Sequence, residues 1–80
     1  MIYYYRDKEK REIDLVIEQG AMLHPIEIKT SSDPKKEMVK SFEVLDKIPG
    51  KKRGTGAVIC LAKERLPLME DVWIVPARMI

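Results

Sequence analysis

The sequence predicts one α/β domain, a mixed sheet with elements in the order β-β-β-α-β-β. Three observations carry that expectation. Residues 12–18 alternate between polar and apolar, the period of a half-buried strand. After Ser31 the apolar spacing lengthens to that of a helix. Thr55–Leu61 is then apolar on both faces, as in a strand covered from two sides. A strand entered from a helix lies parallel to an earlier one.

Taken in order, Ile2–Arg6 is β-branched and aromatic and reads as the first strand. Asp7-Lys8-Glu9-Lys10 is a charged turn. In the second strand Ile13, Leu15 and Ile17 face one way, and Glu12, Asp14, Val16 and Glu18 the other. Gln19-Gly20 is the next turn, and Ala21–Lys29 the third strand. There Met22, His24, Ile26 and Ile28 share one face, and Leu23, Pro25, Glu27 and Lys29 the other. Pro25 donates nothing to a ladder, so the strand has a free edge or a bulge at that point. Asp33 and Pro34 fit a helix cap and first helical position, and Met38, Val39, Phe42, Leu45 and Ile48 form the apolar stripe. Pro49-Gly50 ends that helix. Val72–Val75 is a last short strand closed by Pro76.

Eighty residues and 9.3 kDa allow one core and no second domain. With 45% apolar and 35% charged residues the chain folds rather than staying disordered. A net charge of +2 is too small to argue nucleic acid by itself. Cys60 is the single cysteine, which excludes an internal disulfide and suits a reducing cytoplasm. The longest apolar run, Ala57–Ala62, is far too short to span a membrane. Gly50–Gly56 does not match a phosphate-binding loop, so no ATPase site is present.

The chemistry concentrates at Asp14, Glu27 and Lys29. Period 2 puts Glu27 and Lys29 on one face of the third strand. A two-residue Gln19-Gly20 turn sets Asp14 opposite Pro25, diagonal to Glu27, and a two-residue slip sets it opposite Glu27 itself. Either register gathers two carboxylates and an ammonium. Paired carboxylates repel unless a cation lies between them, and hard oxygen donors suit Mg²⁺ or Mn²⁺. A nearby lysine can orient an attacking water and offset charge on a phosphate. The plain alternative is a surface ion-pair cluster of little energetic value.

Glu12-Ile13-Asp14-Leu15-Val16-Ile17 followed by Pro25-Ile26-Glu27-Ile28-Lys29 resembles the PD-(D/E)XK nuclease superfamily, the restriction-endonuclease-like fold. The chain is similar, more narrowly, to the C-terminal domain of unknown function in archaeal and bacterial AAA+-type ATPases. Tyr4-Tyr5-Arg6, Phe42, Val58-Ile59-Cys60-Leu61 and Val75-Pro76 extend that match. The resemblance implies Asp14 and Glu27 as metal ligands completed by the Ile28 carbonyl, and Lys29 as the catalytic lysine. It implies Mg²⁺ or Mn²⁺ as cofactor and hydrolysis of phosphodiesters, by a metal-dependent nuclease or a nuclease-derived DNA-binding domain. The helix that opens the superfamily's fold is missing before Ile2, so the chain reads as N-terminally truncated. The rival expectation is a non-catalytic oligomerisation or docking domain of an AAA+-type ATPase, its site a relic.

Lys35, Lys36, Lys40, Lys51, Lys52 and Arg53 fall on the helix and its following loop. They are either a solvated face or a track for a DNA backbone. His24 reads as a core or half-buried histidine, Cys60 as an inert buried thiol, and Trp73 as core or dimer contact. The alternating Tyr3–Tyr5 strand leaves an edge open to pairing in a homodimer.

Overall fold

The computed structural model describes residues 1–80. Seven strands form one mixed sheet: β1 (Ile2–Arg6), β2 (Glu12–Gln19), β3 (Met22–Ile28), β4 (Lys52–Arg53), β5 (Gly56–Cys60), β6 (Leu66–Met69) and β7 (Val72–Pro76). Their order across the sheet is β1-β2-β3-β5-β7-β6, with β4 beside β3. β1, β2 and β3 are an antiparallel meander. β3, β5 and β7 run parallel, and β6 folds back antiparallel on β7. The mixed sheet and the parallel fifth strand agree with the sequence reading. The short β4 and the Pro67-bearing β6 were not expected, because neither shows an alternating pattern.

The predicted α-helix is a 3₁₀ helix, Lys36–Lys47. Val39, Phe42, Leu45 and Ile48 stand three residues apart, and in a 3₁₀ helix side chains at i and i+3 eclipse. The Met38 N–H bonds the Lys35 carbonyl at 3.0 Å and the Ile48 N–H that of Leu45 at 3.3 Å. Asp33 does not cap the helix. Its amide donates to Ser31 Oγ at 3.0 Å and its carboxylate takes the Lys35 ammonium at 2.7 Å. Extended Lys35 precedes the first turn instead.

The β2–β3 turn is Gly20-Ala21 rather than Gln19-Gly20, with Gly20 at φ +61°. Gln19 pairs with Met22 and Leu15 with Ile26, which is the slipped register of the two allowed by the sequence. On the other side of β3, Pro25 has no N–H to offer, and the neighbouring chain divides there. Met22 and Leu23 pair with β4, Ile26–Ile28 pair with β5, and Gly54-Thr55 step across the gap.

The face assignment of β2 needed correction. Tyr3 pairs with Val16 and Tyr5 with Ile13, so Asp14 and Leu15 together oppose the single residue Tyr4. This β-bulge turns Ile13 onto the same side as Val16, and both are fully buried. The core therefore lies between the 3₁₀ helix and the Ile13, Val16, Leu23, Val58, Cys60 and Val72 side of the sheet, centred on Phe42. The opposite face carries Leu15, Ile17, Ile26, Ala57, Ile59 and Trp73 and has no covering layer. β5 is accordingly covered on one side only, not two.

A candidate acidic site at the end of β2 and β3

Continuing the observed register brings Asp14 opposite Glu27. The bulge alters what the two residues do there. Asp14 Oδ2 accepts the Ile28 N–H at 2.8 Å, taking the place of a ladder carbonyl. The Asp14 N–H donates to Glu27 Oε1 at 3.3 Å, and Glu27 Oε2 lies 3.2 Å from Lys29 Nζ. The four residues predicted from the sequence, Asp14, Glu27, Ile28 and Lys29, thus meet at one point.

Their environments differ in a way that has chemical consequences. Glu27 is only 5% exposed and sits on the core side of the sheet, whereas Asp14 and Lys29 are half-buried. Burial pushes the Glu27 carboxyl above its ordinary pKa, the Asp14 charge adds to that, and Lys29 opposes both. A carboxylate in this position is destabilised by its surroundings and is relieved by an added positive charge.

The donors fit a hard divalent cation. They are carboxylate oxygens on neighbouring strands, and Asp14 Oδ1 carries no protein hydrogen bond. Extended backbone turns the Ile28 carbonyl to the same edge as its amide. No group of three or more His, Cys, Asp or Glu side chains converges anywhere in the chain. The acidic side chains at this point are therefore two, Asp14 and Glu27.

Two neighbours were missed by the sequence reading. Tyr4 stands opposite the Asp14–Leu15 bulge, and the Glu12 carboxylate near its hydroxyl holds the phenol pKa above its usual value. Glu12 also faces Arg6 at 3.5 Å. The bulge, which no local pattern announced, sets Tyr4 across from Asp14.

The basic residues are not one free track. Lys35 is paired with Asp33, Lys51 with Glu18, and Arg53 with Asp46 through Nε at 3.0 Å and Nη2 at 3.1 Å. Lys36, Lys40 and Lys52 have no carboxylate partner within 4.0 Å. Lys36, Lys40 and Arg53 rim a cavity of about 300 Å³ floored by Val39 and Val72, which Glu37 and Glu43 also line. His24 is half-buried, with Nδ1 donating to the Thr55 carbonyl at 2.8 Å. Cys60 is buried as expected. Trp73, 39% exposed, lies on the open face under the Arg65 guanidinium, 5.2 Å from the ring centre. No helix is long and apolar enough to cross a membrane.

A family model described as a domain of unknown function, DUF4143, matches residues 1–80. No curated protein and no solved structure matches the chain.

Proposed function

The chain belongs to the DUF4143 family, and from that premise we propose that it is a nuclease-like domain of restriction-endonuclease-like architecture, acting on phosphodiesters with Mg²⁺ or Mn²⁺. The observation that carries the proposal is Glu27. A carboxylate on the buried side of a sheet, set against a second carboxylate, costs stability. Such a cost is characteristic of functional sites rather than of incidental surface charge.

In this reading Asp14, Glu27 and the Ile28 carbonyl hold the cation, which when bound supplies Lewis acidity at the phosphate. Lys29 orients the attacking water and offsets charge on the phosphate oxygens. Its ammonium lies 3.2 Å from Glu27, so it is already positioned at the site. Lys36, Lys40 and Lys52, the unpaired cations, are the proposed backbone contacts for DNA, and binding through them weakens steeply with added salt.

A second reading has its own support. The open apolar face of the sheet favours a non-catalytic docking or oligomerisation domain of an AAA+-type ATPase, with the acidic site a relic. Calorimetric titration with Mn²⁺ separates the two. The nuclease reading expects saturable binding in the wild type and none in Glu27→Ala, with circular dichroism confirming that both are folded. Cleavage of linear or branched DNA that Lys29→Ala abolishes then follows. No binding heat from folded wild-type protein would sink the enzyme reading and leave the docking domain.

A further inference from the structure

The two edges of the sheet are built differently. At β6 the edge is blunted. Pro67 has no N–H, and the pairing shifts between Pro67 and Met69, a bulge that bends the strand. At β1 neither device is present. β1 is the outermost strand, and Ile2–Arg6 contains no Pro, no Lys and no bulge of its own.

The hydrogen bonds fix which way the β1 groups point. The Met1 ammonium donates to the Glu18 carbonyl at 3.1 Å, and the Glu18 N–H donates back to Met1 at 2.7 Å. The Asp7 N–H donates to the Arg11 carbonyl at 3.1 Å. Met1 and Asp7 both face β2, so by the two-residue alternation Tyr3 and Tyr5 do as well. Ile2, Tyr4 and Arg6 turn their amides and carbonyls away from the sheet. Their side chains are the exposed ones of the strand, with Ile2 64% and Tyr4 54% exposed.

We propose that β1 is the interface at which a second copy of this chain adds antiparallel, its two-fold axis passing through Tyr4. This register pairs Tyr4 with the partner subunit's Tyr4, and Ile2 with the partner subunit's Arg6. Every outward amide and carbonyl of Ile2, Tyr4 and Arg6 then finds a partner. The aromatic pair stacks at the axis, and the Arg6 stem lies along the partner subunit's Ile2. A parallel, in-register pairing would set Arg6 against Arg6 and is disfavoured. A second copy supplies a strand of the same length with the same outward residues, and the antiparallel register puts the two Arg6 charges at opposite ends of the pairing. This proposal is independent of the acidic site.

Analytical ultracentrifugation of the untagged chain from about 1 to 200 μM is the test. The wild type is expected to pass from monomer to dimer across that range. Tyr4→Lys sets two ammonium groups against each other at the axis and raises the dissociation constant at least about tenfold. Tyr4→Pro removes an outward N–H that serves no intramolecular bond, so it gives a folded monomer; if it fails to fold, Tyr4→Lys decides. Directly paired residues sit about 5.5 Å apart at Cα, within disulfide reach. Under oxidation Tyr4→Cys forms a covalent dimer by itself, whereas Ile2→Cys and Arg6→Cys cross-link only when mixed. Buried Cys60 adds no background. A wild type that stays monomeric, a dimer untouched by Tyr4→Lys, or self-cross-linking of Ile2→Cys as efficient as that of Tyr4→Cys would each overturn the proposal.

Discussion

Glu27 shows how one residue is held against its own solvation. Its partners are the Asp14 amide and the Lys29 ammonium, and its neighbour across the ladder is a second carboxylate. Burial and Asp14 raise its pKa in the folded state. The native state therefore binds a proton more tightly than the unfolded chain, and stability falls as pH rises from the ordinary glutamate value through the raised one. Replacing the charge should reverse that loss. In metal-free buffer Glu27→Gln is expected to gain about 1 kcal/mol at neutral pH, roughly 4–8 °C in Tm for a domain of this size. The gain should vanish once the pH drops below the ordinary glutamate range. Thermal unfolding of both proteins at a series of pH values checks this, and an equal gain at every pH would contradict it. Asp14, Glu27 and Lys29 were legible as a group because strand period and spacing place them together. Burial of Glu27 was not legible, since it depends on which face the helix covers.

Pro25 and the glycines opposite it decide how the elements join. Because Pro25 cannot donate, the strand beside β3 is cut into β4 and β5, and Gly54-Thr55 threads the gap. Gly56 lies where a Cβ would stand 2.8 Å from the Pro25 carbonyl and 3.1 Å from Phe42. Neither neighbour can retreat, as one is backbone and the other the centre of the core. Gly56→Ala is expected to cost about 1–3 kcal/mol by overpacking, read as a lowered urea midpoint with an unchanged slope. The proline break was legible from the sequence. The 3₁₀ geometry of Lys36–Lys47 was visible only in part. The three-residue spacing of Val39, Phe42, Leu45 and Ile48 was in the chain, but Met38 made it look like a longer period. The bulge at Asp14 left no local mark, because it answers to the pairing of β1 with β2.

At the scale of the whole molecule, the sheet is covered on one side. The accessible surface is 5620 Å², against about 5,000 Å² expected for a closed monomer of this mass. Ile28 and Trp73 on the open face remain accessible, as do Met1 and Ile80 at the ends of the chain. Two neighbours on β5 report the asymmetry. Val58 is fully buried beneath the helix, while Ile59 is half-buried on the open side. Val58→Ala is expected to destabilise by about 2–3 kcal/mol, and Ile59→Thr by about 1 kcal/mol or less. Chemical denaturation of the two variants checks the ranking, and equal losses would mean that the open face is covered in solution.

The sequence by itself determined the strands with a clean two-residue period, the break at Pro25, the parallel entry of β5 and the grouping of Asp14, Glu27, Ile28 and Lys29. These follow from local steric rules and from spacings that hold wherever the chain lies. Tertiary structure alone decided between the two β2–β3 registers, and set the bulge, the face that the helix covers and the ion pairs that occupy Lys51 and Arg53. An apolar side chain is equally content on either side of a sheet until another layer arrives. Which face becomes core is therefore settled by where the 3₁₀ helix packs. That choice turned Glu27 from one surface carboxylate among several into the buried centre of the site.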